Sequence, residues 1–137
     1  MKLDPRYGYY PWWPQDGDDW IHPEDVSVAR RMIPSGRIWR RDGIRGPFVV
    51  LHYGSVRLRV RPTLWIEVAG EGLNIGDWVE VLSRMQKNTY RIGTVREMFW
   101  DLHRRSIRYR IEYRRQLLPN AFLRDDLRPV ESVPLAT

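Results

Sequence analysis

The chain has 137 residues, 42% of them hydrophobic, with seven Trp and no Cys. That length suits one ordinary domain or two very small ones, and the composition excludes global disorder, disulfides, thiolate metal sites and cysteine nucleophiles. The net charge is +6, and the cations are almost all arginine, since Lys2 and Lys87 are the only lysines.

Residues 1–22 are acidic on balance and the remainder is basic. A basic body behind an acidic front suits polyanion binding, and it equally suits an arginine-rich solvated surface. No apolar run follows Met1-Lys2-Leu3-Asp4-Pro5-Arg6, so no signal peptide is expected. No segment approaches the roughly 18 apolar residues of a membrane span. The expected compartment is the cytoplasm, with no membrane partner.

Residues 1–23 are rich in aromatic and turn residues, among them Tyr7, Tyr9, Tyr10, Trp12, Trp13 and Trp20. Pro5, Pro11, Pro14 and Pro23 forbid a long helix there. An irregular aromatic strap covering a hydrophobic face is expected. Val26–Met32 looks like a strand from its branched, part-alternating residues. Arg37–Arg40 is a short strand, and Asp42-Gly43 signals a hairpin. Phe48–Tyr53 is apolar on both faces and is expected in a sheet interior. Val56–Arg61 alternates strictly. Pro62–Trp65 suits a single 3₁₀ turn, and Ile66–Val68 a closing strand.

Ala69-Gly70-Glu71-Gly72 marks a boundary, after which a β pattern resumes. Trp78–Met85 is a predicted strand and Lys87-Asn88 a turn. Tyr90–Trp100 is a long strand, bent at Gly93. Ser106–Arg114 alternates strictly, and Leu127–Val130 closes the unit. The expected organisation is a strap over 1–23, β units over 24–70 and 71–131, and a tail over 132–137. Val26–Met32 can be laid over Val79–Met85, and Leu58–Arg61 over Ile107–Arg110, which suggests an internal repeat. Units of roughly 55 residues are marginal alone, so the two are expected to pack together.

Ile75-Gly76-Asp77-Trp78-Val79-Glu80-Val81 and Ile92-Gly93-Thr94-Val95 resemble the opening of an SH3-like small barrel, a class that includes Tudor and KOW-type modules. Leu127-Arg128-Pro129-Val130 resembles its closing strand. The resemblance covers about residues 75–130 and extends to 24–68 through the repeat. It implies an all-β protein of two SH3-like barrels or half-barrels. The opening Tyr9-Tyr10-Pro11-Trp12-Trp13-Pro14-Gln15-Asp16-Gly17-Asp18 is similar to that of an uncharacterised bacterial family.

The candidate site is a pair of arginine combs. Alternate side chains of a strand share one face. Arg57, Arg59 and Arg61 then face one way, and Arg108, Arg110 and Arg114 line a second face with Glu112 among them. Arginine forks suit phosphate. Glu97, Glu112 and Asp101 are candidates to pair with these arginines and quench the patch. The acidic turn Asp16-Gly17-Asp18-Asp19 lacks the spacing of a calcium loop. His22, His52 and His103 have no partner at metal-ligand spacing. No catalytic, cofactor-binding or metal residue is expected. The expectation is a non-catalytic module for nucleic acid or a ribonucleoprotein, or else a protein-interaction scaffold. The sequence does not set the oligomeric state.

Overall fold

The computed structural model describes residues 2–14, 17–83 and 89–130. The chain divides into two compact units, Met1–Gly70 and Glu71–Thr137. Each contains one five-stranded antiparallel sheet, so the protein is mostly β.

The first unit contains β1 (Lys2–Tyr9), β2 (Trp39–Arg45), β3 (Phe48–Tyr53), β4 (Val56–Val60) and β5 (Ile66–Val68), in the order β4-β3-β2-β1-β5. β1 lies between β2 and β5, pairing Tyr7 with Arg40 on one side and with Val68 on the other. Residues 2–9 are therefore an interior strand of the sheet, which corrects the expected irregular strap. Pro5 is accommodated where the β1–β2 register shifts, between Lys2 and Arg6, so no regular ladder bond is required of it.

Val26–Met32 is a helix, α1, rather than a strand. Val26, Ala29, Met32 and Ile33 recur at helical spacing, and all pack into the core with Val28. A 3₁₀ turn over Pro23–Asp25 leads into it, with the His22 side chain accepting the N–H of Glu24. The same core holds Tyr10, Trp20, Trp39, Leu51 and Leu58. Burial pushes the Tyr10 phenol well above its ordinary pKa, against the opposing charge of Arg41. Most of the aromatic opening is thus core, while Trp12 remains 46% exposed. The predicted 3₁₀ turn at Pro62–Trp65 is irregular chain.

β4 is an edge strand, but its open side is covered. The N–H of His22 donates to the carbonyl of Arg59, and the N–H of Arg61 donates to that of Trp20. Between them, Asp25 Oδ2 accepts the N–H of Arg59 at 2.8 Å. An uncovered edge would template pairing with another chain.

The second unit contains β6 (Trp78–Val81), β7 (Arg91–Asp101), β8 (Ser106–Tyr113), β9 (Gln116–Leu117) and β10 (Leu127–Pro129), in the order β10-β6-β7-β8-β9. A 3₁₀ turn at Arg124–Asp126 precedes β10. Val79, Val81, Val95, Ile107, Tyr109 and Ile111 are buried along its strands. Gly93 faces Val79 across the β6–β7 ladder. A Cβ there would lie 2.4 Å from the carbonyl oxygen of Glu112, so only glycine allows this approach.

Both units follow one plan: a four-strand meander whose fifth strand returns to pair with the first. The repeat is therefore one of topology, and the sequence overlay aligned the wrong elements. The counterpart of β6 is β1, whereas Val26–Met32 is helix; the counterpart of β8 is β3, not β4. Arg84 and Met85 of that overlay, and the Lys87-Asn88 turn, lie outside the described residues.

Candidate polyanion-binding site

The arginine combs are largely neutralised within the fold. Arg59 Nε donates to Asp25 Oδ2 at 2.9 Å, and its Nη2 reaches Asp25 Oδ1 and Glu24. The Arg59 hydrogen bond holds the Asp25 carboxyl below its ordinary pKa despite burial. Arg108 pairs with Asp101 and donates to the carbonyl of Ala121. Arg110 pairs with Glu97 and donates to the carbonyl of Leu118. These three serve the fold. Arg61 donates to the carbonyl of Asp19 and lies over the Phe48 ring. Arg57 is exposed and meets no carboxylate among the described residues.

Arg114 is not on the β8 face, because β8 ends at Tyr113. It occupies a two-residue hairpin, Arg114-Arg115, closed by the Tyr113–Gln116 pair. Both arginines have positive φ, 50° and 63°. Such a turn ordinarily takes Asn-Gly, because a side chain in that region costs about 1–2 kcal/mol. The first unit follows the ordinary rule. Its β2–β3 and β3–β4 turns place Gly46 at φ 58° and Gly54 at φ 59°. The β8–β9 turn of the second unit has arginine at two positive-φ positions, where the side chain gains nothing from burial.

Around this hairpin lies a cationic cluster. The guanidinium of Arg114 is 5.1 Å from the Tyr113 ring centroid, and that of Arg91 is 5.3 Å from it. Arg114 and Arg115 are exposed and Arg91 half-buried. None of the three meets a carboxylate among the described residues. Glu112, the nearest acid in sequence, pairs with Arg96 instead. Two guanidiniums thus lie against one ring, and no carboxylate among the described residues occupies their N–H groups. Sequence reasoning named Arg114 for the wrong reason and missed Arg91 and Arg115. The legible signal was the doublet Arg114-Arg115 at the end of an alternating strand.

A second hairpin, between β7 and β8, carries Leu102-His103-Arg104-Arg105, all exposed. Asp101 Oδ1 accepts the N–H groups of His103 and Arg104. Burial raises the Asp101 pKa, but these hydrogen bonds and Arg108 outweigh it and hold the carboxyl low.

The first unit has an open groove of about 470 Å³. Apolar Ile21, Pro23, Val26 and Phe48 share its wall with Asp18, Asp19 and Arg61. Asp18 is engaged by Arg30 and by the Trp13 indole. Asp16 lies outside the described residues. No group of three or more His, Cys, Asp or Glu gathers at metal-binding distance among the described residues. No helix among them is long and apolar enough to cross a membrane.

The chain belongs to a family of unknown function, DUF6960, whose model matches residues 1–128. No curated protein and no solved structure matches it.

Proposed function

We propose that this member of the family is a non-catalytic binding module that holds nucleic acid by its phosphates, through the Arg91–Tyr113–Arg114–Arg115 cluster. One observation carries the reading. Two adjacent arginines occupy positive-φ positions at a hairpin tip, unpaired with acid; each two-residue turn of the first unit has one such position, and it is glycine. Backbone strain persists where something other than stability maintains it. Phosphate contacts fix position without reading sequence, so all sequences bind alike.

The two units are SH3-like small barrels in this reading. Support comes from the shared strand order and, in the second unit, from the 3₁₀ turn before the last strand. The absence of cysteine accords with a reducing cytoplasm. The first-unit groove favours a second reading, a protein-interaction module that takes a peptide across Phe48.

A salt titration of binding to labelled oligonucleotides of mixed sequence tests the proposal. Three phosphate contacts give a slope of log K against log salt of about −2 to −3. The triple variant R91A/R114A/R115A is expected to make the slope shallower by about 2 to 3. Absence of binding at low salt, or a slope near zero, overturns it and leaves the peptide reading in front.

A further inference from the structure

The β7–β8 hairpin repeats the chemistry of the β8–β9 hairpin at the other end of the same strand. It carries a second doublet, Arg104-Arg105, and Arg105 again has positive φ, 50°. Both side chains are exposed and meet no carboxylate among the described residues. The nearest acid, Asp101, is committed to the loop backbone and to Arg108. That loop is therefore fixed before any ligand arrives, with its cations outward.

Between the tips, the arginines of β8 are neutralised, Arg108 by Asp101 and Arg110 by Glu97. Along β8, free positive charge thus lies at the two ends and not between them. At ~3.4 Å per residue, Arg105 and Arg114 stand about 30 Å apart. A nucleic-acid duplex advances ~3.4 Å per base pair, so about nine base pairs cover that span. The duplex is stiff over such a length, with a persistence length of about 150 base pairs, and pays no entropy to hold it. A single strand would have to be drawn out and ordered.

We propose that the second unit binds a nucleic-acid double helix lengthwise along β8, gripping its backbone at both hairpin tips. This rests on the phosphate-binding reading above and adds Arg104 and Arg105 as a second contact point.

The test uses the full chain and linker-closed duplexes of about 5 and about 14 base pairs, with single strands of matching length. The long duplex is expected to show a salt slope steeper than the short one by about 2, since two more contacts release counterions. R104A/R105A is expected to remove that difference and to leave the short duplex, held at Arg114-Arg115, within about twofold. Arg105→Gly removes one of the two charges while relieving the backbone, and is expected to halve that difference, which keeps the test valid if the alanine variant folds poorly. Equal slopes at both lengths, or no effect of R104A/R105A, overturn the two-tip grip while leaving phosphate binding at Tyr113 intact. Single strands that bind with the same slope as the long duplex overturn the assignment to a double helix. Failure of every oligonucleotide to bind at low salt overturns both readings.

Discussion

Replacing Arg115 by glycine separates what the hairpin does for the fold from what it does for a ligand. Arg115 has φ 63°, and its side chain is exposed. Releasing a left-handed residue returns about 1–2 kcal/mol. Glycine gives back about 0.5–1 kcal/mol of that through the greater freedom of the unfolded chain. Arg115→Gly is thus expected to stabilise the second unit by about 0.5–1 kcal/mol, a rise in thermal midpoint of about 2–8 °C for a unit of this size. Binding is expected to move the other way, with the salt slope shallower by about 0.9. Denaturant melts followed by tryptophan fluorescence give the first quantity, and oligonucleotide titration the second. The mirror experiment is Gly46→Arg in the first unit. Gly46 has φ 58°, and a Cβ there would meet nothing within 4 Å, so the backbone conformation alone sets the cost. A loss of about 0.5–1 kcal/mol is expected. If Arg115→Gly instead destabilises by more than about 1 kcal/mol, the arginine is serving the fold and the strain argument fails.

Three further outcomes follow from the geometry. Asp25→Ala is expected to cost about 2–3 kcal/mol in urea melts, because the N–H of Arg59 and its guanidinium lose their acceptor. Asp25 has a lowered pKa in the folded state, so its contribution is complete above the ordinary carboxylate range and fades as pH falls through the folded value. Wild-type stability should therefore decline below about pH 4 more steeply than that of Asp25→Asn, and parallel curves would deny Asp25 this role. Gly93→Ala is expected to cost more than about 2 kcal/mol, since neither the Glu112 carbonyl nor the ladder can retreat; a neutral result in thermal melts would mean the β7–β8 crossing is wrongly placed. Arg108→Ala is expected to lower stability by about 1–2 kcal/mol with little effect on oligonucleotide affinity, whereas Arg57→Ala should leave melting unchanged. Equal effects of the two on melting would contradict the pairing seen at Arg108.

Much of the sheet was legible because alternation is a strong local signal. Val50, Leu58, Val60, Val79, Val81, Val95, Ile107 and Ile111 all fall on buried faces, as their spacing implies. Val28 and Phe48 are half-buried: Val28 lies on α1, and Phe48 begins β3 beside His22. The helix was hidden because β-branched Val26 and Val28 imitate a strand over so short a run. Its identity depends on Ala29 and Ile33 meeting a core assembled from distant residues. The aromatic opening was misread for a related reason. Proline and glycine mark β1 as irregular, and only β2 and β5, far along the chain, make it a strand. The combs were legible in part. The sequence offers Asp101 and Glu97 as partners, and they meet Arg108 and Arg110, but alternation gives only the face a side chain takes, and the Asp25 that neutralises Arg59 comes from the turn before α1. Turn position was the better guide to free charge, because a hairpin tip has fewer neighbours to supply an acid.

The interior position of β1 has a consequence for how the first unit is made. Tyr7 must find Arg40 across the segment that carries α1, and then Val68 at the end of the unit. These are contacts of high sequence separation, whose loop-closure entropy is paid before they return any stability. The local hairpins β2–β3 and β3–β4 can form early, but the sheet has no complete centre until β5 has been synthesised. During translation, β1 leaves the ribosome before both of its partners and is thus among the last strands of the unit to be locked in place. Until then its open ladder edges and the aromatic residues that follow it are available to chaperones or to neighbouring chains.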